Sequence, residues 1–159
     1  MEACSDWRCV IVLAKDTDLR LDRTLPWRLP LRATSAHISS CFGYRVHPVD
    51  SVRRFHAGVD IAAPEGTAVL AAGSGVATSG SHPVLGRFVR IDHHNGFISL
   101  YGHLGASIDG KKFVQQGELI GTVGSSGTST GPHLHWTVKF RDRAIDPLTF
   151  QAAVLATLP

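Results

Sequence analysis

The feature that most limits the fold of this chain is a series of short alternating segments separated by glycine-containing turns. Residues 87–92 alternate, with Val89 and Ile91 on one face and polar or aromatic side chains on the other. Asn95-Gly96 follows, a pair typical of two-residue hairpin turns, and residues 97–104 supply the return strand. Because side chains alternate between the two faces of a strand, this pattern predicts a half-buried antiparallel pair.

The same texture recurs along most of the chain, and sixteen glycines in 159 residues supply turns between the segments. Further strands are predicted within His37–Phe42, Phe55–Ala62, Thr67–Leu70, Gly73–Thr78, Glu118–Val123 and His133–Phe140. Asp146-Pro147 then begins a helix that runs to about Thr157, because Asp caps helices and Pro is tolerated at their first position. The sequence therefore predicts a mainly β, antiparallel domain with one short C-terminal helix.

Composition is that of an ordinary globular domain, with 43% hydrophobic and 18% charged residues. No stretch reaches 18 apolar residues, so we expect no membrane span. The net charge of +3 suits an anionic partner such as a cell wall, a membrane surface or a nucleic acid. Nucleic acid is not expected, since the chain has neither a Lys/Arg cluster nor a base-stacking motif.

The start of the chain has a different texture. Residues 1–33 are predicted to form an N-terminal extension that packs along the domain through Trp7 or Trp27, and residues 34–159 to form the domain itself. The first 15 residues make a poor signal peptide, because acidic side chains interrupt the region before a short apolar core. Three cysteines without a C-x-x-C pair exclude a zinc ribbon. Cys4 and Cys9 could form a disulfide, and three free thiols fit the sequence equally well.

Histidine is the unusual component, with nine in the chain. His133 and His135 flank Leu134, so in an extended strand both imidazoles point the same way while the leucine points into apolar packing. Two imidazoles this close can share a metal, or one can bind metal while the other transfers protons. Two ordinary surface histidines are the alternative. His93 and His94, beside the hairpin turn, are predicted to face solvent.

A second pair needs a bend to be useful. His56 and Asp60 would lie about 13 Å apart in a straight strand, too far to share a zinc ion with bonds near 2 Å. Gly58 between them can supply a bulge. Without such a bend they are a surface histidine and a turn aspartate.

The polar side chains described so far lie near glycines at the ends of predicted strands. His103, next to Gly102, is a further example. Two His and one Asp with an open fourth position make a catalytic zinc site. An H-E-x-x-H helix is absent from the sequence, which excludes a zincin. The small-residue loop 124–131 lacks the Lys of a P-loop and leads into a strand, so we expect it to wall a groove rather than bind nucleotide.

Over roughly residues 36–150 the sequence resembles the lysostaphin-type (LytM-type) zinc endopeptidases of peptidoglycan. Each short motif is weak alone, but five occur in order with family-like spacing. The matching segments are Ile38–Pro48, His56–Asp60, Tyr101–Leu104, Gly121–Trp136 and Ile145–Pro147.

The resemblance implies an antiparallel β domain with a narrow groove over one zinc ion per chain. It implies that His56, Asp60 and His135 are the ligands. It also implies that His103 and His133 act on the attacking water and the developing oxyanion. We favour His133 as the base, because its neighbour on the strand holds the metal. By the same pattern His47 lies outside the zinc set, and Arg45 is structural or lines the groove.

These features predict a monomeric zinc-dependent endopeptidase that hydrolyses peptide cross-links of bacterial peptidoglycan. The Phe42–Pro48 form resembles relatives that cut D-Ala–diaminopimelate bonds, so a D,D-endopeptidase is expected. The alternative is a non-catalytic wall-binding module or amidase activator, which the intact set of five residues disfavours. The substrate lies outside the cytoplasm, in the periplasm or cell wall. Without a clear signal peptide, export would need phage lysis, a secretion system or a different start codon.

Overall fold

A computed structural model describes residues 23–46 and 52–157, and twelve strands and one helix lie within these ranges. The strands are β1 His37–Ser40, β2 Gly43–Val46, β3 Arg53–His56, β4 Val59–Ala62, β5 Ala68–Leu70, β6 Gly75–His82, β7 Gly86–Asp92, β8 Phe97–Ser107, β9 Lys111–Val114, β10 Leu119–Val123, β11 His133–Phe140 and β12 Arg143–Ile145. The helix, α1, is Pro147–Leu155.

Ten of these strands form one antiparallel sheet in the order β1-β4-β11-β8-β7-β6-β9. Strand β10 pairs with both β5 and β8, and β12 pairs with β11. Strands β2 and β3 form a separate two-stranded hairpin. The predicted mainly β, antiparallel architecture with a short C-terminal helix is confirmed.

The core lies on one face of the central strands. Along β11, Leu134, Trp136 and Val138 are fully buried, and their neighbours alternate to the other face. Helix α1 contributes Phe150, whose ring centroid lies 5.0 Å from that of Phe97 on β8. Asp146 caps the helix as predicted, since its side chain accepts a hydrogen bond from the Leu148 amide. Among the described residues, the structure has no helix long and apolar enough to cross a bilayer.

The described part of the predicted extension, residues 23–33, packs against the domain. Leu25 is fully buried and Leu31 is nearly so, both within the main core, and Trp27 packs partly buried against it. The Leu70 amide donates to the Pro30 carbonyl at 2.8 Å, which ties this segment to β5. A domain boundary after residue 33 stays a prediction, and Trp7, Cys4 and Cys9 lie outside the described residues.

His93 corrects one expectation, because it is 2% exposed rather than solvent-facing. The alternation that buries Val89 and Ile91 continues through residue 93, one position beyond the end of β7. Its Nδ1 lies 2.8 Å from the Ser74 carbonyl oxygen and its Nε2 lies 2.9 Å from Ser99 Oγ. Burial lowers the pKa of His93 to about 4, against the opposing effect of its hydrogen bond to Ser74. Its neighbour His94 is exposed, as predicted.

A pH-dependent stability follows from this buried, neutral imidazole. The unfolded chain binds a proton at residue 93 below about pH 6.5, whereas the folded chain does so only near pH 4. Stability is therefore fully present above pH 6.5 and falls towards pH 4, by up to about 3 kcal/mol from this group. Urea unfolding from pH 4.5 to 7, in the presence of a chelator, should show a shallower pH slope for His93→Gln than for the parent. His94→Asn is the exposed control, and equal slopes in all three proteins would contradict the assignment.

Candidate metal centre

The site begins where the chain leaves the hairpin and enters the main sheet. Strand β3 ends at His56 and β4 begins at Val59, so the chain bends at the two residues between them. The bend brings His56 Nε2 to 3.1 Å from Asp60 Oδ1, in place of the separation of about 13 Å in a straight strand. The sequence predicts that Gly58 permits this bend. In the structure its lack of a side chain also allows close contact with β11, since a Cβ there would lie 2.5 Å from the Trp136 carbonyl oxygen.

Strand β11 supplies the third group. His135 pairs directly with Asp60 across the β4–β11 register, and its Nδ1 lies 2.7 Å from Asp60 Oδ1. The same Nδ1 lies 3.1 Å from His56 Nε2. One oxygen and two nitrogens, from three elements of the chain, thus form a triangle with sides of 2.7–3.1 Å.

The hydrogen bonds around this triangle decide which atoms carry protons. His56 Nδ1 lies 2.8 Å from the Cys41 carbonyl oxygen, to which it must donate, so Nε2 is the ring nitrogen available to bind a metal. That nitrogen lies 3.1 Å from Asp60 Oδ1, so a cation placed between the two atoms would be bound by both. On the far side of the second ring, His135 Nε2 lies 3.1 Å from Thr137 Oγ1, which fixes the ring orientation.

The donor set fits zinc. Two imidazole nitrogens and one carboxylate oxygen are zinc ligands, and bonds of 2.0–2.1 Å in a tetrahedron separate ligand atoms by about 3.3 Å. The observed triangle is slightly tighter than this, as expected for side chains held by hydrogen bonds. Among the described residues, His56, Asp60 and His135 are the group whose atoms could hold a metal ion.

Asp60 is held in the charged form that metal binding requires. Burial alone would raise its pKa, but the hydrogen bonds from His135 and His56 outweigh burial and hold the pKa well below its usual value. Oδ1 faces both histidines, while Oδ2 lies 4.0 Å from Arg45 Nη2 on the hairpin. The carboxylate is therefore ionised at neutral pH and available as a ligand.

His103 reaches the site through an irregularity in β8. Tyr101 is fully buried on the core face, and a period of two would send residue 103 to that same face. Instead, the β7–β8 register shifts between Arg87 and Val89, and His103 has a φ of 60°. A non-glycine residue with this φ is strained by about 1–3 kcal/mol. The bulge turns the imidazole to the site, 4.5 Å from the ring of His133.

The loop 124–131 orients both of these imidazoles. His103 Nδ1 lies 2.8 Å from the Ser126 carbonyl oxygen, and His133 Nδ1 lies 2.8 Å from the Gly131 carbonyl oxygen. Each Nδ1 must carry the proton, so each Nε2 carries a lone pair. Burial, opposed by the bond to Ser126, lowers the pKa of His103, which is therefore neutral at pH 7.

Two cavities adjoin the cluster. One, of about 370 Å³, is lined by Arg45, Asp60, His133 and the 130–132 segment. The other, of about 720 Å³, lies beside the His103 bulge and the loop at Ser126. Only the smaller cavity is lined by residues of the cluster, namely Asp60 and His133.

The structure thus brings all five sequence-predicted site residues into one cluster. The supporting contacts were missed, namely the carbonyls of Cys41, Ser126 and Gly131 and the hydroxyl of Thr137. Backbone carbonyls leave no signal in a sequence. Thr137 did leave one, since it lies two residues after His135 and so on the same strand face. His47 lies outside the described residues.

Comparison with known proteins identifies the family to which the chain belongs. Residues 54–147 match Peptidase family M23, which is more than half of the chain. The chain belongs to Peptidase family M23. The resemblance to lysostaphin-type peptidases is confirmed, and the match spans all five site residues.

Two curated relatives resemble this M23 chain over most of its length. The DD-carboxypeptidase/endopeptidase Mpg of Neisseria meningitidis serogroup B is 46% identical over 113 residues, which is 70% of this chain and 26% of that protein. The peptidoglycan DD-endopeptidase ShyA of Vibrio cholerae is 36% identical over 118 residues, covering 72% of this chain and 27% of its own. This chain therefore spans about a quarter of the length of these relatives.

Solved structures share the fold. A zinc-containing peptidase from Vibrio cholerae matches with a TM-score of 0.71 and 31% identity, over 77% of this chain and 39% of that one. The catalytic domain of lysostaphin from Staphylococcus simulans matches with a TM-score of 0.62 and 26% identity, over 74% of this chain and 91% of that one.

Gly58 should be essential for convergence of the three candidate ligands, His56, Asp60 and His135. In Gly58→Ala the added methyl would contact the Trp136 carbonyl at 2.5 Å, so β4 and β11 must separate. We expect a loss of about 1–3 kcal/mol in stability and at least a tenfold weaker zinc affinity. Competition with a chromogenic chelator measures the affinity. Gly131→Ala is the matched control, because a Cβ there meets nothing within 4 Å. Parent-like zinc affinity in Gly58→Ala would show that the close contact does not set the site.

Proposed function

We propose that this domain is a zinc-dependent D,D-endopeptidase that hydrolyses peptide cross-links of bacterial peptidoglycan. The observation that carries the proposal is the pair of lone-pair-bearing Nε2 atoms, of His103 and His133, beside the His56–Asp60–His135 triangle. Names of relatives support the bond class, since they are called DD-endopeptidases.

His56, Asp60 and His135 would hold one zinc ion, with a fourth position open to the groove. When bound, zinc supplies a Lewis acid for the scissile carbonyl and lowers the pKa of water towards 7. The protein's part is to keep the three donor atoms deprotonated and close together. The Cys41 carbonyl and Thr137 hydroxyl do this for the two imidazoles by fixing their ring orientations.

His133 is the proposed base. Its Nδ1–H is committed to the Gly131 carbonyl, so Nε2 is the atom that accepts the proton of the attacking water. This Nε2 lies 3.9 Å from Asp60 Oδ1, beside the ligand triangle. His103 has the same tautomer, so it can donate from Nε2 to the developing oxyanion only after gaining a proton of its own. The proton that His133 takes from the water would pass to the leaving amine nitrogen, so His103 must take its own proton from solvent before it donates.

The proposed substrate bond is D-Ala–diaminopimelate, cleaved by a monomer outside the cytoplasm where peptidoglycan lies. The 370 Å³ cavity lined by Asp60 and His133 offers space for part of an extended peptide cross-link beside the ligand triangle. The competing idea, a wall-binding module or amidase activator without catalysis, would need neither His103 nor His133. Both are present, and His103 is kept in a strained backbone conformation that a binding module has no reason to retain.

Purified sacculi test the function directly. The zinc-loaded protein should release uncross-linked muropeptides, and a chelator should stop release until zinc is restored. His135→Ala should lose zinc and activity together. His133→Ala should keep one zinc per chain, while kcat falls about 10²–10⁴-fold because only proton transfer is lost.

His94→Asn, an exposed histidine far from the ligands in sequence, serves as the control and should match the parent in zinc content and rate. Metal content by mass spectrometry and muropeptide chromatography give the two readouts. Release of products that a chelator does not affect, or full activity of His133→Ala, would refute the proposed mechanism.

A further inference from the structure

Arg45 lies at the groove, beside the ligand cluster. It belongs to β2 of the hairpin, and its side chain lines the 370 Å³ cavity together with Asp60 and His133. Its Nη1 donates to Ser40 Oγ, and its Nη2 lies 4.0 Å from Asp60 Oδ2. Although it touches a residue of the cluster, its side chain is 49% exposed.

The contact with Asp60 does not account for this arginine. A separation of 4.0 Å is the outer limit of an ion pair, and the carboxylate is already held through Oδ1 by two histidines. A guanidinium has five N–H donors in a planar fork that fits a carboxylate bidentately. The contacts to Ser40 and Asp60 use one N–H group on each terminal nitrogen of the guanidinium. As far as the described residues show, donors therefore remain for a ligand in the cavity.

The proposed substrate carries an anionic group close to the scissile bond. In a D-Ala–diaminopimelate cross-link, the carbon that bears the leaving nitrogen also bears a free carboxylate. A DD-carboxypeptidase, the other activity in the name of the Neisseria relative, likewise releases a residue with a free carboxylate on that carbon. Backbone geometry puts such a carboxylate carbon about 2.5 Å from the leaving nitrogen. A cationic side chain that binds this carboxylate must therefore lie close in space to the metal ligands. Arg45 meets this condition, since its Nη2 lies 4.0 Å from Asp60 Oδ2.

We propose that Arg45 binds the free carboxylate on the leaving-group side of the scissile bond and so selects D,D cross-links over bonds that lack this carboxylate. The proposal rests on the proposed function for its substrate class. Its physical basis is a bidentate, charge-assisted pair with a guanidinium that lines the cavity. Ser40 Oγ, by accepting from Nη1, positions the fork.

A pair of synthetic peptides tests this residue. Both join D-Ala to the D-centre of diaminopimelate, and they differ only in a carboxylate or a carboxamide at that centre. Binding is measured by calorimetry in zinc-loaded His133→Ala protein, which slows cleavage, and kcat/KM is measured in the otherwise unaltered protein. The carboxylate peptide should bind about 10- to 100-fold more tightly than the carboxamide, as expected for a hydrogen-bonded charge pair.

Arg45→Gln should remove this preference by weakening the carboxylate peptide alone, with zinc content and binding of the carboxamide unchanged. Arg45→Lys should restore part of it, because it keeps the charge but not the fork. Arg53→Gln is the matched control. Arg53 lies on the same hairpin at a position facing the other side from Arg45, with its guanidinium 4.2 Å from the centre of the Tyr44 ring.

The outcomes separate the two proposals. A carboxylate preference that depends on Arg45, without cleavage of either peptide, supports this inference and refutes the proposed function. Cleavage of both peptides with equal binding, or a preference that survives in Arg45→Gln, overturns the inference and leaves the function intact. Failure of both peptides to bind also overturns it.

Discussion

The structure depends on the convergence of three donor atoms, His56 Nε2, His135 Nδ1 and Asp60 Oδ1, within 3.1 Å of one another. Such a cluster suits a cation, because two imidazole nitrogens and a carboxylate oxygen converge on one point. The surrounding fold holds it together. The β4–β11 register places His135 opposite Asp60, and the break before β4 brings in His56. Gly58 lies at this junction, and its lack of a side chain permits the close approach to Trp136 on β11.

A second constraint is the strand geometry that places the proposed catalytic histidines beside the proposed metal ligands. Period-two geometry sends His133 and His135 to the same face of β11, which explains how neighbouring histidines can have different proposed tasks. His103 breaks that geometry. Only a bulge with a left-handed residue turns it out of the core face and towards His133. The strain stored there is typical of functional sites, and the rigid pairing of β8 with β7, β10 and β11 maintains it.

Much of this was predictable from the sequence, for physical reasons. Alternation and glycine turns revealed most of the strands, and Asp146-Pro147 marked the helix start. Spacing alone required a bend between His56 and Asp60. Features that depend on tertiary packing were harder to predict from the sequence. The burial of His93 arose because alternation continued past the hairpin turn, and Leu25 joined the core from a segment expected to lie beside it. The orientation of His103 depends on strand neighbours that spacing does not specify.

The most direct test of the central claim is X-ray absorption at the zinc edge of the reconstituted protein. We expect one zinc per chain, with nitrogen and oxygen neighbours at about 2.0–2.1 Å and scattering from two imidazole rings. Replacement of His56 by alanine should remove one imidazole contribution or the metal itself. A sulfur neighbour at about 2.3 Å, which would implicate a cysteine such as the exposed Cys41, would contradict the account, as would failure to bind zinc at all.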